Sequence, residues 1–149
     1  LTPYQVLTIA SIIEREAKVP EDRAKISRVI YNRLTIGMPL EIDATLFYKQ
    51  NLDLPFLELK AIDSPYNSYL YTGLPPTPIS NPGRAAINAA LNPAPNPSAG
   101  DPICREFTDG SPCLYLYYVL YDKDGHHKFA STLAQHQANV QAAIIAGVF

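Results

Sequence analysis

Prolines place the strongest limit on what this chain of 149 residues can fold into. Nine of its fourteen prolines fall between Pro75 and Pro112. Proline has no backbone N–H and a fixed φ, so it is excluded from helix interiors and central strands. The sequence therefore predicts helices and strands mainly on either side of a middle section made of long, rigid loops.

Two helices are predicted before that section. Thr2 followed by Pro3 is typical of a helix start, and apolar residues at helical spacing continue to about Lys18. Acidic residues at positions 21 and 22 suit the first turn of a second helix, which Gly37 ends. The short connection predicts a helical hairpin.

The pattern after the hairpin is weaker. Leu40 and Ile42 alternate with polar residues, which predicts a short strand leading to Asp43 and Thr45. Residues 51–64 have no decisive period, and we expect a loop with one helical turn there.

The last third of the chain predicts a hairpin and a helix. Residues 114–121 are aromatic and β-branched, residues 122–125 suit a tight turn, and a return strand begins at His127. Thr132 is a suitable cap for the last helix. The predicted fold class is α+β: a helical hairpin packed with a small antiparallel sheet, long proline-rich loops and a C-terminal helix.

Composition excludes several classes of protein. Hydrophobic residues make up 47% and charged residues 17%, which is typical of a globular chain, and the length suits one domain over residues 1–149. A net charge of -2 with scattered Lys and Arg argues against nucleic-acid binding. No apolar run reaches the roughly 20 residues that cross a bilayer. Because the sequence begins at Leu1, we expect it to be a piece of a longer protein. An anchor or signal segment upstream of it stays an open alternative.

The first helix carries one carboxyl in an unusual position. Its apolar face continues at the same spacing into Glu16, after Ile9, Ile12 and Ile13. Desolvation there would raise the pKa of Glu16 and make it a general acid suited to cleaving a glycosidic bond. The alternative is a salt bridge to Arg15 or Arg33. Glu14, with Lys18 four residues on, is interpreted as a surface salt-bridge residue.

Residues 65–83 are suited to the wall of a saccharide groove. Tyrosine rings lie well on sugar faces, and amides such as Asn67 and Asn81 bind hydroxyl and acetamido groups. The alternative is that these residues are core aromatics and turn formers. Asn81 also predicts, with the proline after it, the capped start of a helix to about Leu91. Asp43 is either the second carboxylate of a glycosidase or a turn cap.

Cysteines and histidines are candidates for further sites. Cys104 and Cys113 enclose a short polar loop, which suits a local disulfide in an oxidising compartment, with two free thiols as the alternative. His126 and His127 are adjacent on a strand and point to opposite faces, so with His136 at most two histidines converge. We therefore expect no metal site, and no phosphate-binding loop or other cofactor motif is present.

Several segments together resemble one family, the endolytic murein transglycosylases of the MltG or YceG type. The segments are ASIIEREA (10–17), VIYNRL (29–34), GMPLEIDAT (37–45), PYNSYLYTGLPPTPISNPG (65–83), ALNPA (90–94), YLYYV (115–119) and HKFASTLAQH (127–136). They span nearly the whole chain in the family's order. The chain departs from the family at an insertion of about residues 97–113, which holds both cysteines.

The resemblance implies particular roles for residues of this chain. It places the catalytic acid on Glu16, the second glutamate of its segment. It implies groove or supporting positions, which we predict to bind substrate, for the following residues: Asn32, Asp43, Thr45, Tyr66, Asn67, Tyr69, Asn81 and His127.

The resemblance also implies a reaction and a setting. Glu16 would act as acid and then base in cleaving the bond between N-acetylmuramic acid and N-acetylglucosamine, leaving 1,6-anhydro ends. The partners would be peptidoglycan glycan strands and peptidoglycan synthases, outside the cytoplasm, with the full-length protein tethered to the membrane. Two alternatives stay open: a lysozyme-like muramidase using Glu16 and Asp43, and a peptidoglycan-binding module without activity.

Overall fold

A computed structural model of the chain describes all residues from 1 to 149. It contains six α-helices, α1 (Pro3–Glu16), α2 (Arg23–Ile36), α3 (Asp43–Phe47), α4 (Phe56–Ala61), α5 (Arg84–Leu91) and α6 (Leu133–Ile145). Two strands, β1 (Tyr117–Leu120) and β2 (His127–Ala130), form an antiparallel pair. The predicted α+β fold class is confirmed.

The helical hairpin is confirmed with small shifts at its ends. Thr2 caps α1 through a reciprocal pair of hydrogen bonds with Gln5, and α1 ends at Glu16 rather than at Lys18. A short 3-10 turn, Pro20–Asp22, leads into α2. Gly37 ends α2 in the left-handed conformation, with φ 72°. The capping residues therefore acted as their types predict.

The core forms around the apolar face of α1. Ile9, Ile12 and Ile13 have no exposed surface. Their neighbours include α5, whose alanines Ala86 and Ala90 are small enough to let the two helices pack closely. Burying one such isoleucine contributes about 1.5–3 kcal/mol, so the row holds α1 firmly in place. The position of Glu16, at the end of this row, follows from that packing.

The predicted strand through Leu40 and Ile42 is wrong. Both side chains are buried, so the alternation was real, but Glu41 between them has φ 51°. The backbone N–H of Glu41 donates to the Ser68 carbonyl at 3.1 Å, and that of Ile42 donates to Ser68 Oγ at 2.8 Å. One serine therefore replaces a partner strand, and α3 begins directly at Asp43.

Two other predictions in the middle of the chain had different outcomes. The single helical turn expected within residues 51–64 is α4. Asn81 does not cap α5, because the helix begins three residues later and its N-cap residue is Gly83, which has no side chain to form a cap. Glu14 bonds to the start of α5 instead, since Glu14 Oε1 accepts from the Gly83 N–H at 2.7 Å.

The strand hairpin and α6 form where they are predicted, but β1 has 4 residues, Tyr117–Leu120, and does not extend over all of residues 114–121. Tyr118 pairs with Phe129, and Leu120 pairs with His127. Thr132 caps α6 through a reciprocal pair of hydrogen bonds with Gln135. Because α2 bonds to the segment that enters β1, the sheet is fixed over the C-terminal end of α1.

The loops are tied to the helices by specific bonds. Ser11 on α1 accepts from the Ile79 N–H at 3.0 Å, and its carbonyl accepts from Ser80 Oγ at 2.8 Å. Cys104 and Cys113 are joined by a disulfide with a Cα–Cα distance of 5.6 Å. None of the helices combines the length and the apolar character needed to cross a bilayer.

Candidate active site

Glu16 lies in the wall of a cavity of about 390 Å³ between the end of α1, the sheet, the start of α3 and the start of α6. The other lining residues come from six parts of the chain and are Arg33, Leu40, Glu41, Asp43, Tyr69, Tyr117, Tyr118, Val119, Leu120, His127, Leu133 and His136. Four of the residues predicted to form the site therefore share this cavity: Glu16, Asp43, Tyr69 and His127.

The Glu16 carboxyl is held by one hydrogen bond. Tyr118 Oη donates to Glu16 Oε1 at 2.7 Å. Burial raises the pKa of Glu16, and the charge of Asp43 raises it further, while the bond from Tyr118 lowers it. Glu16 takes part in none of the ion pairs of the structure, so the salt-bridge alternative for Glu16 is wrong. The carboxyl is thus placed to hold a proton and release it.

Glu14 is a different kind of group, although it lies only two residues away. It is exposed and bonds to the start of α5. The predicted pairing with Lys18 is absent, because Lys18 Nζ donates instead to the Arg15 carbonyl at 3.3 Å. Glu16 therefore lines this cavity, whereas Glu14 lines only the adjoining one.

Asp43 lies across the cavity from the sheet and is bound by a tyrosine. Tyr69 Oη donates to Asp43 Oδ1. Burial, the hydrogen bond to Asp43 and its charge raise the pKa of Tyr69 well above its ordinary value, so the hydroxyl stays protonated and acts as a donor. The Asp43 carboxylate is exposed and already accepts this bond. It acts on Glu16 through its charge.

His127 is oriented by a buried aspartate. Asp22 Oδ2 accepts from the His127 backbone N–H at 2.9 Å and lies 3.1 Å from His127 Nδ1. The two side chains are only 7% and 9% exposed. Because a carboxylate only accepts, the ring proton lies on Nδ1, which leaves Nε2 for a ligand. The edge of the ring also contacts the Tyr118 ring, with centroids 5.5 Å apart.

Three other predicted site residues are bound inside the protein and do not line the cavity. Asn32 Nδ2 donates to the Tyr115 carbonyl at 2.9 Å and to Asn96 Oδ1 at 2.8 Å, which ties α2 to the chain entering β1. Asn67 Nδ2 donates to the carbonyls of Lys60 and Ile62 at 2.9 and 2.8 Å. Thr45 Oγ1 bonds to the Ile42 carbonyl at 2.8 Å. Their side-chain donor groups are occupied, so they support the walls of the cavity.

Tyr66 and Asn81 also lie outside the cavity. Tyr66 Oη bonds to Thr77 Oγ1 at 2.7 Å, which joins two parts of the proline-rich loop. Asn81 is exposed just before α5. Neither side chain contacts the Glu16 carboxyl.

The structure adds three residues that the sequence did not single out for this site: Asp22, Tyr118 and His136. In the sequence, Asp22 has only the features of an acidic residue in a first helical turn. Tyr118 is one of seven tyrosines and leucines within residues 114–121, with no spacing to distinguish it. Their polar partners lie up to 105 residues away along the chain, so no local pattern could have identified them.

The histidines do not converge on one point. His126 bonds to Asp122 at 2.8 Å and to Glu21 at 3.1 Å, outside the cavity, while His127 bonds to Asp22. The side chains of Asp122, Asp124 and His126 come within 4.8 Å of one another in the hairpin turn. Asp122 there accepts from the backbone N–H groups of the same turn, at 3.0 Å each, so the cluster is explained by turn geometry.

Further cavities continue the site into a groove. One shares Glu16 and Asp43 with the first cavity and extends to Arg15 and Phe47. The next shares Arg15 and Phe47 and reaches Tyr48. Glu16 therefore lies partway along an open groove rather than at a closed end. Such an arrangement can deliver a proton to one bond within an extended ligand.

The fold and this groove define an α+β domain built around one protonatable carboxyl. The model of the YceG-like family matches residues 1–142. The chain is 40% identical over 135 residues to an endolytic murein transglycosylase of Bacillus subtilis, covering 89% of this chain and 32% of that protein. It is 33% identical over 147 residues to the endolytic murein transglycosylase of Streptococcus pneumoniae, covering 94% and 24%.

A solved structure agrees with these matches. The crystal structure of a YceG-like protein from Listeria monocytogenes superposes with a TM-score of 0.72 at 35% identity, covering 91% of this chain and 39% of that one. This chain belongs to the YceG-like family. It spans about a third or less of the length of the curated relatives it matches.

Proposed function

We propose that residues 1–149 form one catalytic domain, with an insertion at about residues 97–113, of an endolytic lytic transglycosylase. The enzyme cleaves the bond between N-acetylmuramic acid and N-acetylglucosamine in peptidoglycan and forms 1,6-anhydro ends. The names of the relatives support murein as the substrate. The observation that carries the proposal is the burial of the Glu16 carboxyl, bonded only to Tyr118, partway along an open groove.

Glu16 first acts as the acid. Its proton goes to the oxygen of the glycosidic bond, the bond from that oxygen to the anomeric carbon breaks, and the N-acetylglucosamine side leaves as an alcohol. Burial favours the protonated form of Glu16 before this step. The positive charge that develops on the muramoyl ring is stabilised by its own acetamido group.

Glu16 then acts as the base. The carboxylate takes the proton of the muramoyl 6-hydroxyl, and that oxygen bonds to the anomeric carbon. The hydrogen bond from Tyr118 favours the carboxylate during this half of the cycle. The proton returns to Glu16 and no water is consumed, so a second catalytic carboxylate is not required.

One alternative is favoured by a specific observation. Asp43 lines the same cavity as Glu16, so a lysozyme-like hydrolase could use both carboxyls. Asp43 Oδ1 already accepts the hydrogen bond from Tyr69, which leaves it less free to act on a ligand and disfavours this role. Hydrolysis would add one water to each new end.

The setting follows from the same proposal. The domain would act outside the cytoplasm, in a longer protein tethered to the membrane, and would meet peptidoglycan synthases there. Mass spectrometry of digested peptidoglycan tests the reaction. Anhydro ends support the proposal, and reducing muramic acid ends would replace it with the hydrolase.

A further inference from the structure

One end of the cavity contains three residues that the proposed chemistry does not use: Arg33 on α2, Tyr117 on β1 and His136 on α6. We call them the Arg33–His136 corner. The Tyr117 ring contacts both partners, with the Arg33 guanidinium 5.1 Å from its centroid. The His136 ring stacks on it at 5.0 Å and 22°. All three line the same cavity as Glu16.

Arg33 is fixed in place and keeps one nitrogen unused. Its Nε donates to the Leu116 carbonyl at 2.8 Å, and Nη1 donates to the carbonyls of Pro39 and Leu40 at 2.9 and 3.0 Å. Nη2 has no partner in the protein but is accessible. A rigid arginine with two free N–H groups in a cavity wall is suited to binding an acceptor oxygen.

His136 provides a second donor in the wall of the same cavity. Burial lowers the pKa of His136, and the charge of Arg33 lowers it further, so the ring is neutral at neutral pH. Nδ1 is buried without a partner, whereas Nε2 is accessible. The single ring proton is best placed on Nε2, where it can bond to water or to a ligand.

The charges around the corner select the kind of oxygen. Glu41 Oε2 lies 3.9 Å from Arg33 Nη1 and offsets its charge, and Asp43 adds a further negative charge to the cavity. These negative charges would repel a carboxylate ligand, whereas they would not repel a neutral carbonyl group. The corner therefore favours an uncharged acyl oxygen over an anion.

We propose that Arg33 Nη2 and His136 Nε2 bind the carbonyl oxygen of an N-acetyl group on a sugar next to the cleaved bond. This inference rests on the proposed function, because only that function places a glycan in the groove. The corner would thus make the enzyme select N-acetylated strands over strands bearing free amines.

Binding measurements in an inactive background test the inference. The Glu16→Gln protein is titrated calorimetrically with an N-acetylglucosamine oligosaccharide and with a glucosamine oligosaccharide of the same length. His136→Phe is then added, which keeps the ring stacked on Tyr117 and removes the N–H. Losing one neutral hydrogen bond should reduce the preference for the acetylated sugar about fivefold. The charge of the glucosamine affects both proteins alike and does not change this comparison.

Two further variants complete the design. His136→Gln restores an N–H donor and should recover part of the preference. His126→Phe makes the same chemical change outside the cavity and should leave the preference unchanged. Equal loss of affinity for both sugars in His136→Phe would overturn the inference, since His136 would then only shape the cavity. An unchanged preference, or no binding to either sugar, would overturn it too.

Failure of this inference is distinguishable from failure of the proposed function. Protein with Glu16 intact is assayed separately for anhydro ends on peptidoglycan. Anhydro products with an unchanged preference in His136→Phe remove the inference alone. The expected change of preference without anhydro products removes the proposed reaction alone.

Discussion

Replacing Tyr118 with phenylalanine removes one hydroxyl and keeps the ring that packs against His127. That hydroxyl donates the hydrogen bond from Tyr118 to Glu16, at 2.7 Å. A hydrogen bond to a charged group contributes about 1.5–3 kcal/mol, and here it favours the ionised form of Glu16. Without this bond the pKa of Glu16 should rise further, because the bond lowers it and so counteracts the effect of burial.

The change should be visible in the dependence of kcat/KM on pH. Glu16 must be protonated in the free enzyme, so its ionisation produces the fall in rate on the alkaline side. One pKa unit corresponds to 1.36 kcal/mol, so the pH at which the rate falls on the alkaline side should be higher by roughly one to two units in Tyr118→Phe. Product release from purified sacculi, measured from pH 4 to pH 9, is the assay.

A matched control is Tyr121→Phe, which removes a hydroxyl from the same strand region outside the cavity and should leave the profile unchanged. An alkaline limb that stays in place or moves downward in Tyr118→Phe would refute the proposed role of the bond. Equal shifts in both variants would attribute the effect to the sheet rather than to Glu16.

Three other predictions follow from the contacts. Glu16→Gln should gain stability relative to wild type as pH rises above 4.5, because the folded wild type binds the Glu16 proton more tightly than the unfolded chain does. Thermal melts across a range of pH measure this difference. Identical pH dependence of stability in the two proteins would contradict it. Replacing Cys104 and Cys113 by serine should lower the free energy of unfolding by about 2–3 kcal/mol, from the loop entropy of a disulfide with a sequence separation of 9. Denaturant unfolding measures this loss. Free thiols in a non-reducing peptide map of the wild type would exclude the disulfide. Gly125→Ala should destabilise the protein by more than about 1 kcal/mol, because the new Cβ would lie 2.5 Å from Lys18 Cβ and the φ of Gly125 is +97°. Gly110→Ala is the control for the backbone contribution, since Gly110 has a φ of +87° but open space around it. Equal losses of stability in the two variants would exclude the clash with Lys18.

Much of the fold could be predicted from local signals. Thr2, Gly37 and Thr132 marked helix ends because capping depends on neighbouring residues alone. The strand through Leu40 failed because its hydrogen bonds go to Ser68 in a loop, and no local pattern shows such a partner. Burial alternated as in a strand, but the ladder was missing.

The candidate site was predictable only in part. The apolar row of α1 pointed to Glu16, because periodicity fixes which side chains share a helical face. Tyr118, Asp22 and His136 were not predictable, because their roles depend on how the sheet and α6 pack against the helical hairpin. Asn32 and Asn67 show the reverse case, since amides suited to a ligand are bound instead to backbone carbonyls.

Product analysis of peptidoglycan digested by wild type beside Glu16→Gln and Glu14→Gln tests the central claim most directly. We expect wild type to release fragments with 1,6-anhydro ends, each lighter by one water than a reducing end. Glu16→Gln should lose nearly all activity while keeping its fold, and Glu14→Gln should retain most of it. Reducing ends from wild type, or equal losses in the two variants, would contradict the assignment of Glu16 as the single acid and base.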